Sequence, residues 1–125
     1  MATYITEPER MTVQATVDLS GSLNRFVTAG GALPAAAGGQ ALGVLDDFGP
    51  RGGVSGDTVT LVVAGGAKIE ANAAIAVGAQ IAVAATTGRA RTAVTGDQVL
   101  GVALEAAGAQ GDIISCRLDA RGVLA

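Results

Sequence analysis

A Gly-Asp pair followed one residue later by an aliphatic residue occurs three times in the chain, and it restricts the possible folds more than any other feature. The copies are Gly56-Asp57, Gly96-Asp97 and Gly111-Asp112. Glycine reaches the positive φ that a tight reversal needs, and aspartate can bond to its own backbone two residues further on. The aliphatic residues that follow suit a pleated, half-buried surface. Each copy therefore predicts a turn followed by a β-strand.

Residues after the last of these turns alternate with the period of two that is typical of a half-solvated strand. Ile114, Cys116 and Leu118 fall on one face, and the polar residues between them fall on the other. The only cysteine of the chain is therefore predicted to be a small buried apolar residue instead of a reactive thiol. A single cysteine also excludes an internal disulfide.

Further strands are predicted from alternation and from glycine turns. The expected strands are Arg10 to Leu19, Arg25 to Ala29, a hairpin of Thr58 to Ala64 and Ala67 to Ala71 joined by Gly65-Gly66, and a hairpin of Ile81 to Ala85 and Ala90 to Val94. Loops are expected at residues 29–40 and 46–53, and the alanines of residues 71–77 favour a turn or two of helix. This pattern predicts an all-β fold, a small single-domain sandwich or barrel of short antiparallel strands with glycine turns.

One larger unit also recurs. Leu42-Gly43-Val44 precedes a loop and the Gly56-Asp57 turn, and Leu100-Gly101-Val102 precedes a shorter loop and the Gly111-Asp112 turn. The recurrence of the whole unit, Leu-Gly-Val, loop, Gly-Asp and strand, predicts an internal duplication of β-structure.

The apolar residues of the chain are mostly small, which predicts a thin core. Tyr4, Phe26 and Phe48 are the only aromatic residues, and glycine alone accounts for 19 of the 125 residues. Burying a large aliphatic or aromatic side chain contributes roughly 1.5–3 kcal/mol, and an alanine methyl contributes far less. We therefore expect a lone subunit to be modestly stable and a homo-oligomer to supply part of the burial.

Charge and hydropathy narrow the choice of partners. The net charge is −3, and Lys68 is the only lysine among eight scattered basic residues, whereas nucleic acid requires clustered positive charge. The N-terminus has no basic region followed by an apolar core, and no apolar run has membrane-spanning length. We expect a soluble protein, made in a cytoplasm, that binds neither nucleic acid nor membrane.

Groups for catalysis are scarce. The chain has no histidine, which removes the commonest general base, most metal sites and the usual serine or cysteine triads. The three Gly-Asp carboxylates are explained by their turns, and no calcium-loop pattern of alternating ligands surrounds Asp46-Asp47. The prediction is a protein that is not an enzyme and holds no metal or cofactor.

The first residues, MATYITEPE, lack core-forming side chains and are interrupted by Pro8, yet Tyr4-Ile5-Thr6 favours extended structure. Two interpretations stay open, an arm that lies on a neighbour by strand addition and a frayed terminus. We divide the chain into an extended N-terminal arm, residues 1–11, and a β-rich domain, residues 12–125.

Six motifs then follow one another: MATYITEP at the N-terminus, ALGV at 41–44, SGDTVTLVVAGGAKIEA at 55–71, AAIAVGAQIAV at 73–83, TTGRARTA at 86–93 and GVALEAAGAQGDIISCRL at 101–118. In this order they resemble a family of capsid decoration, or cement, proteins of tailed phages. The resemblance implies an oligomer, a trimer before a dimer, on the outer capsid surface of the virion. There it would stabilise junctions between copies of the major capsid protein.

Contacts with the capsid or with a neighbouring subunit are predicted in two places. The arm is one, and the other is Arg89 with Arg91, which share a face of a strand edge and either pair with acidic residues of a partner or form a solvated edge that blocks aggregation. The predicted contact residues are Thr3, Tyr4, Ile5, Thr6, Glu7, Pro8, Arg89 and Arg91.

Two other classes of function stay open at this point. The alternative is a β-barrel that binds a small molecule or a carbohydrate, which would need a pocket with aromatic stacking, and three aromatic residues supply little for one. A carboxylate-dependent hydrolase is the third.

Overall fold

A computed structural model of the chain describes residues 8–48 and 51–124, and within these ranges every regular element is a β-strand. The strands are β1 (Glu9–Gln14), β2 (Phe26–Val27), β3 (Gly43–Asp47), β4 (Thr58–Glu70), β5 (Gln80–Val83), β6 (Ala90–Thr92), β7 (Gln98–Ala103) and β8 (Ile113–Val123). The all-β prediction is confirmed. The helical turns expected at residues 71–77 do not form, because Ala71 and Ile75 make isolated β-bridges instead.

The eight strands form one sheet in the order β2-β3-β4-β8-β7-β5-β6, with β1 added to β4. Every pair of named strands is antiparallel. A parallel bridge between Ala71, at the end of β4, and Ala90, at the start of β6, brings the two ends of the β4-β8-β7-β5-β6 series together. These five strands therefore close into a barrel-like ring, and β1, β2 and β3 extend the sheet along the first half of β4.

Strand β4 connects these two parts, and the hairpin predicted around Gly65-Gly66 is wrong. Thr58–Glu70 is one strand of 13 residues that runs through both glycines. Its first half pairs with β1 and β3, and its second half pairs with β8 from Gly65 onward. Gly65 has φ +86°, so the glycines change the course of the strand without reversing it. The second half of β4 pairs with β8, which lies far along the sequence, and does not fold back on the first half of β4.

The interior is divided into two apolar clusters. The larger cluster, to which the ring contributes most of its members, consists of Phe26, Val44, Val62, Ile69, Ala71, Ile75, Ile81, Val83, Ala90, Leu100, Ala103, Ala107, Ile114, Cys116 and Leu118. The cluster under the extension consists of Ala15, Leu19, Val27, Leu45, Val59 and Leu61. Strand β4 supplies both clusters from its opposite faces. The alternation predicted for β8 is confirmed, with Ile114, Cys116 and Leu118 buried.

All three Gly-Asp turns precede strands as predicted, namely β4, β7 and β8. In each, the aspartate N–H donates to the carbonyl three residues earlier, and glycine takes the third position with φ between +90° and +94°, the geometry of a type II turn. The aspartate carboxylates accept hydrogen bonds from residues at or before the start of each turn, not from the residues after it as expected. Asp112, for example, accepts the N–H groups of Gly108 and Ala109. The N–H groups further on belong to strand residues, whose backbone groups pair within the sheet.

The repeated Leu-Gly-Val units occupy equivalent places. Gly43 lies in β3, which pairs with β4, and Gly101 lies in β7, which pairs with β8. A Cβ atom added at Gly43 would lie 2.3 Å from the carbonyl oxygen of Val62, and one added at Gly101 would lie 2.3 Å from that of Arg117. Both glycines therefore allow the same close approach of a hairpin strand to the longer strand that follows it.

The first strand is shorter than predicted. It ends at Gln14 instead of Leu19, because the backbone of Ala15 and Leu19 bonds to the loop before β4. Met11 and Val17, two of the apolar residues within the predicted strand, are exposed. The loop predicted from Asp46 starts later, because Asp46 and Asp47 belong to β3. The second predicted hairpin, β5 with β6, is confirmed.

Candidate docking surface

An open groove of about 540 Å³ lies where β4 passes from the extension to the ring. We name it the β4 groove. Its lining comes from the start of β1, from β3, β4 and β8, and from the residue after β7: Pro8, Arg10, Asp46, Val62, Gly66, Ala67, Lys68, Leu104, Ser115 and Cys116. The floor is largely apolar, with Val62, Ala67 and Cys116 among its lining residues, and Gly66 adds no side chain to it. Leu104 on its rim is 53% exposed.

Polar groups surround this floor. Arg10 donates from Nε to Asp46 Oδ2 at 2.9 Å, and both side chains are largely exposed. No carboxylate of the described residues lies within 4 Å of the Lys68 ammonium. Glu105 accepts the Ser115 N–H at 2.7 Å, and hydrogen bonds from Ser115, aided by the charge of Lys68, lower the pKa of Glu105. The groove can therefore offer a cation and an apolar floor to an extended polypeptide.

The predicted arm contacts meet this groove at one residue. Thr3, Tyr4, Ile5, Thr6 and Glu7 lie outside the described residues. Pro8 lines the groove, and Glu9, Arg10 and Met11 already belong to β1. The division of the chain after residue 11 stays a prediction. Any truncation that tests the arm must end before Glu9 if β1 is to stay whole.

Arg89 and Arg91 lie in ion pairs within the chain. Arg89 donates to Glu70, which also accepts Arg25 at 3.3 Å, and all three side chains are at most 20% exposed. Arg91 donates from one amino group to both carboxylate oxygens of Asp97 at 2.8 Å. Neither guanidinium is a free charge on a solvated edge, so a partner would meet charge that is already neutralised. Their role as contact residues stays a prediction.

The Glu70 cluster joins the start of β2, the end of β4 and the segment before β6. Desolvation raises the pKa of Glu70, but hydrogen bonds and charge from Arg89 and Arg25 outweigh it and hold the pKa below its usual value. The stability that this depressed pKa contributes is complete above the unfolded pKa near 4.5 and is lost as the pH falls through the folded value.

Replacing the Glu70 carboxylate should therefore make the free energy of unfolding depend less on pH in the acid range. We expect Glu70→Gln to cost about 2 kcal/mol at pH 7, because hydrogen bonds to charged groups are lost, and to lose less stability than the parent as the pH falls below 4.5. Urea unfolding between pH 7 and pH 3 measures both effects. Parallel stability curves for the variant and the parent would contradict this assignment.

Other reactive groups are few within the described ranges. Burial raises the pKa of the Cys116 thiol to about 12, so the thiol is protonated at neutral pH. No group of three or more histidine, cysteine, aspartate or glutamate side chains there is arranged to hold a metal ion. In the same part of the chain, no helix is long and apolar enough to cross a membrane.

Sequence reasoning missed the β4 groove altogether. The signal was present in Gly65-Gly66, where two residues without bulk follow a strong strand pattern. A glycine pair gives a hairpin only where the segments on its two sides pair with each other. Here the segment after Gly65-Gly66 pairs with β8 instead, which only the folded structure shows.

The class of fold is thus an antiparallel β-sheet whose longest strand joins a barrel-like ring to a three-stranded extension. One solved structure with a similar fold is the N base of the head fiber protein gp8.5 of bacteriophage phi29. It superposes with a TM-score of 0.54 at 17% sequence identity, over 95% of this chain and 99% of that one. This likeness shows a shared fold. No protein family model matches the chain, and no curated protein sequence does.

Proposed function

We propose that the protein is a structural component of a phage virion, a decoration or cement protein. In this role it binds the outer surface of the icosahedral head as an oligomer and stabilises contacts between major capsid proteins. The observation that carries the proposal is the fold shared with a phage head fiber base along nearly the whole of both chains. The order of the six sequence motifs supports the same role independently.

The surface suits attachment to a repeated lattice. A head presents the same site many times, so modest contacts by each subunit of an oligomer add up through effective concentration. The β4 groove offers an apolar floor beside Lys68, and the nearby side chains of Leu104 and Ile113 are about half exposed. Apolar groups of this kind, surrounded by polar ones, are typical of protein interaction sites.

A role without catalysis is part of the proposal. The carboxylates of Asp57, Asp97 and Asp112 all accept backbone N–H groups from residues at or just before the start of their turns. These bonds give the repeated aspartates a structural purpose. The alternative, a carbohydrate-binding barrel, has weaker support because Phe26 is buried and Phe48 packs against the cluster under the extension, so neither offers an exposed stacking face.

Cosedimentation with purified expanded heads tests the function. We expect the full chain to bind saturably and a variant lacking residues 2–7 to bind about tenfold or more weakly, because each subunit loses one of its contacts while β1 stays whole. Ser20→Ala, in an exposed loop beyond the other end of β1, should bind like the parent.

A full chain that stays in the supernatant at all head concentrations would overturn the proposed function. Thermal-shift screening against sugars is the complementary measurement. A specific rise in melting temperature with a sugar, together with no binding to heads, would favour the carbohydrate-binding alternative.

A further inference from the structure

We infer that the ring opens in acid at one place, between β4 and β6, when Glu70 loses its charge, while the other strand pairs of the ring stay closed. We name this place the seam. It consists of residues 70–72 at the end of β4, residues 88–90 at the start of β6, and residues 24–26, which bond to both. The inference goes beyond the proposed function and does not depend on it.

The seam is the weakest pairing of the ring. Between β4 and β6 the described residues form a single bridge, Ala71 with Ala90, and one backbone bond, from the Asn72 N–H to the Ala90 oxygen at 2.7 Å. Every other pair of neighbouring strands in the ring pairs over at least two residues, and β4 pairs with β8 over six. Proteins open locally where few backbone bonds join two elements. The ring therefore separates first at the seam.

Residues 24–26 join the two sides of the seam. The Glu70 N–H donates to the Asn24 oxygen at 2.8 Å, and the Phe26 N–H donates to the Gly88 oxygen at 2.7 Å. One of these bonds is to the end of β4 and the other is to the segment before β6. Opening of the seam must therefore break at least one of them.

The Glu70 carboxylate holds the same three parts together. Its oxygens accept Nε and Nη2 of Arg25, both at 3.3 Å, and Nε of Arg89. Arg25 belongs to residues 24–26, and Arg89 belongs to the segment before β6. All three side chains are at most 20% exposed, so water screens these contacts only partly. A single negative charge thus connects every part of the seam.

Protonation of Glu70 turns this attraction into repulsion. It leaves two guanidinium groups close together in a partly buried place, where charges interact more strongly than in water. Among the described residues, no carboxylate except that of Glu70 lies within 4 Å of Arg25 or Arg89. The two arginines then favour separation of the parts that Glu70 had joined.

The other elements next to Glu70 supply no replacement for its charge. Lys68, two residues earlier on the same face of β4, is positive. Ile113, opposite Glu70 on β8, is apolar. The carboxylate of Asp112, just before β8, accepts backbone N–H groups of its own loop. The charge balance of the seam therefore depends on Glu70.

The direction of the pH effect follows from the pKa of Glu70. Desolvation raises it, but hydrogen bonds and charge from Arg89 and Arg25 outweigh desolvation and hold the pKa below its usual value of 4.5. The closed seam is therefore fully stabilised above pH 4.5 and loses this stabilisation as the pH falls through the folded pKa.

Two other carboxylates have lowered pKa values, but neither bonds to the seam. Hydrogen bonds from Ser20 lower the pKa of Asp18, and hydrogen bonds from Ser115 lower that of Glu105. Both carboxylates are exposed, and water can replace these bonds when they break. Acid therefore acts on the seam through Glu70.

Amide hydrogen exchange of the parent at pH 7 and pH 3 tests the inference, with protection factors corrected for the intrinsic exchange rate at each pH. The seam amides are those of Phe26 and Asn72. The reference amides are those of Ala103 and Leu104, which bond elsewhere in the ring. We expect acid to lower protection of the seam amides about tenfold or more relative to the reference amides. Equal losses at both sets, or no loss at the seam, would overturn the inference.

Glu70→Gln should imitate acid at neutral pH. We expect its seam amides at pH 7 to have the low protection of the acidified parent and to lose no more at pH 3. The matched control is Asp119→Asn, because Asp119 also pairs with two arginines, Arg117 and Arg121, but all three side chains are 40–57% exposed. This control should behave like the parent. Full seam protection in Glu70→Gln at pH 7 would show that the charge does not hold the seam closed.

Arg89→Gln separates titration of Glu70 from a merely structural loss, and it keeps the test decisive if Glu70→Gln does not fold. With one positive charge fewer beside it, Glu70 should have a pKa closer to its usual value. The midpoint of seam opening should therefore move to higher pH. Loss of a hydrogen bond alone would lower seam protection equally at all pH values, and an unchanged midpoint would overturn the inference.

Discussion

Gly101→Ala should destabilise the protein by about 3 kcal/mol, because overpacking at this position strains backbone instead of flexible side chains. The new Cβ would lie 2.3 Å from the carbonyl oxygen of Arg117 and 3.2 Å from the Cα of Leu118, both in the paired strand β8. Relieving that clash requires β7 and β8 to separate at the centre of the ring. We expect a fall of roughly 10 °C in melting temperature for a loss of this size.

Gly21→Ala is the matched control for this substitution. A Cβ at Gly21 would meet no atom within 4 Å, and its φ lies outside the left-handed region. Alanine there should leave stability unchanged or raise it by about 0.4–1 kcal/mol through the unfolded chain. Gly43→Ala should behave like Gly101→Ala, since the two glycines are equivalent. Equal melting temperatures for Gly21→Ala and Gly101→Ala would refute the close approach in the repeated unit.

Asp97→Ala should lower the free energy of unfolding by about 3 kcal/mol. It leaves the partly buried Arg91 guanidinium without its carboxylate partner and removes a hydrogen bond of the turn. Asp97 is 6% exposed, and its carboxylate accepts two bonds from Arg91 and the N–H of Val94. Among the described residues, none accepts a hydrogen bond from the buried Nε atom of Arg91. The loop at Gly38 also packs closely against this carboxylate, since a Cβ at Gly38 would lie 2.0 Å from Asp97 Oδ1. Denaturant unfolding of the variant measures the loss.

Asp112→Ala provides the comparison, because the same Gly-Asp turn lies there on the surface. Asp112 is exposed, and among the described residues its carboxylate accepts only the N–H groups of Gly108 and Ala109, whose hydrogen bonds water can replace. Its loss should cost about 1 kcal/mol or less. Nearly equal losses for Asp97→Ala and Asp112→Ala would show that the turn alone, without the ion pair, determines the contribution of the motif.

The outcome at Arg89 and Arg91 shows where charge patterns mislead. Two arginines with one residue between them on a strand predict a charged edge, because the sequence near them contains no acid to neutralise Arg89. Glu70, which does so, is 19 residues away and reaches it through the bridge between Ala71 and Ala90. Long-range pairing thus neutralised Arg89, whereas Asp97, the partner of Arg91, is only six residues away in the sequence.

Local chemistry determined much of this fold. The three Gly-Asp turns, the strands after them and the inward face of β8 all follow from residues within a few positions of each other, since turn geometry and side-chain alternation are local properties. The hairpin of β5 and β6 is local in the same sense. The sequence alone was therefore sufficient for the all-β class and for the repeated Leu-Gly-Val unit.

Tertiary structure alone decided what happens at Gly65-Gly66, where β4 continues because β8, more than 40 residues further on, supplies the partner for its second half. It likewise ended β1 at Gln14, paired Arg89 with Glu70, and created the β4 groove from residues of four strands and the loop after β7. Non-local pairs depend on which strands meet, and alternation along one strand does not encode the identity of its partner. The candidate docking surface therefore could not be predicted from the sequence pattern.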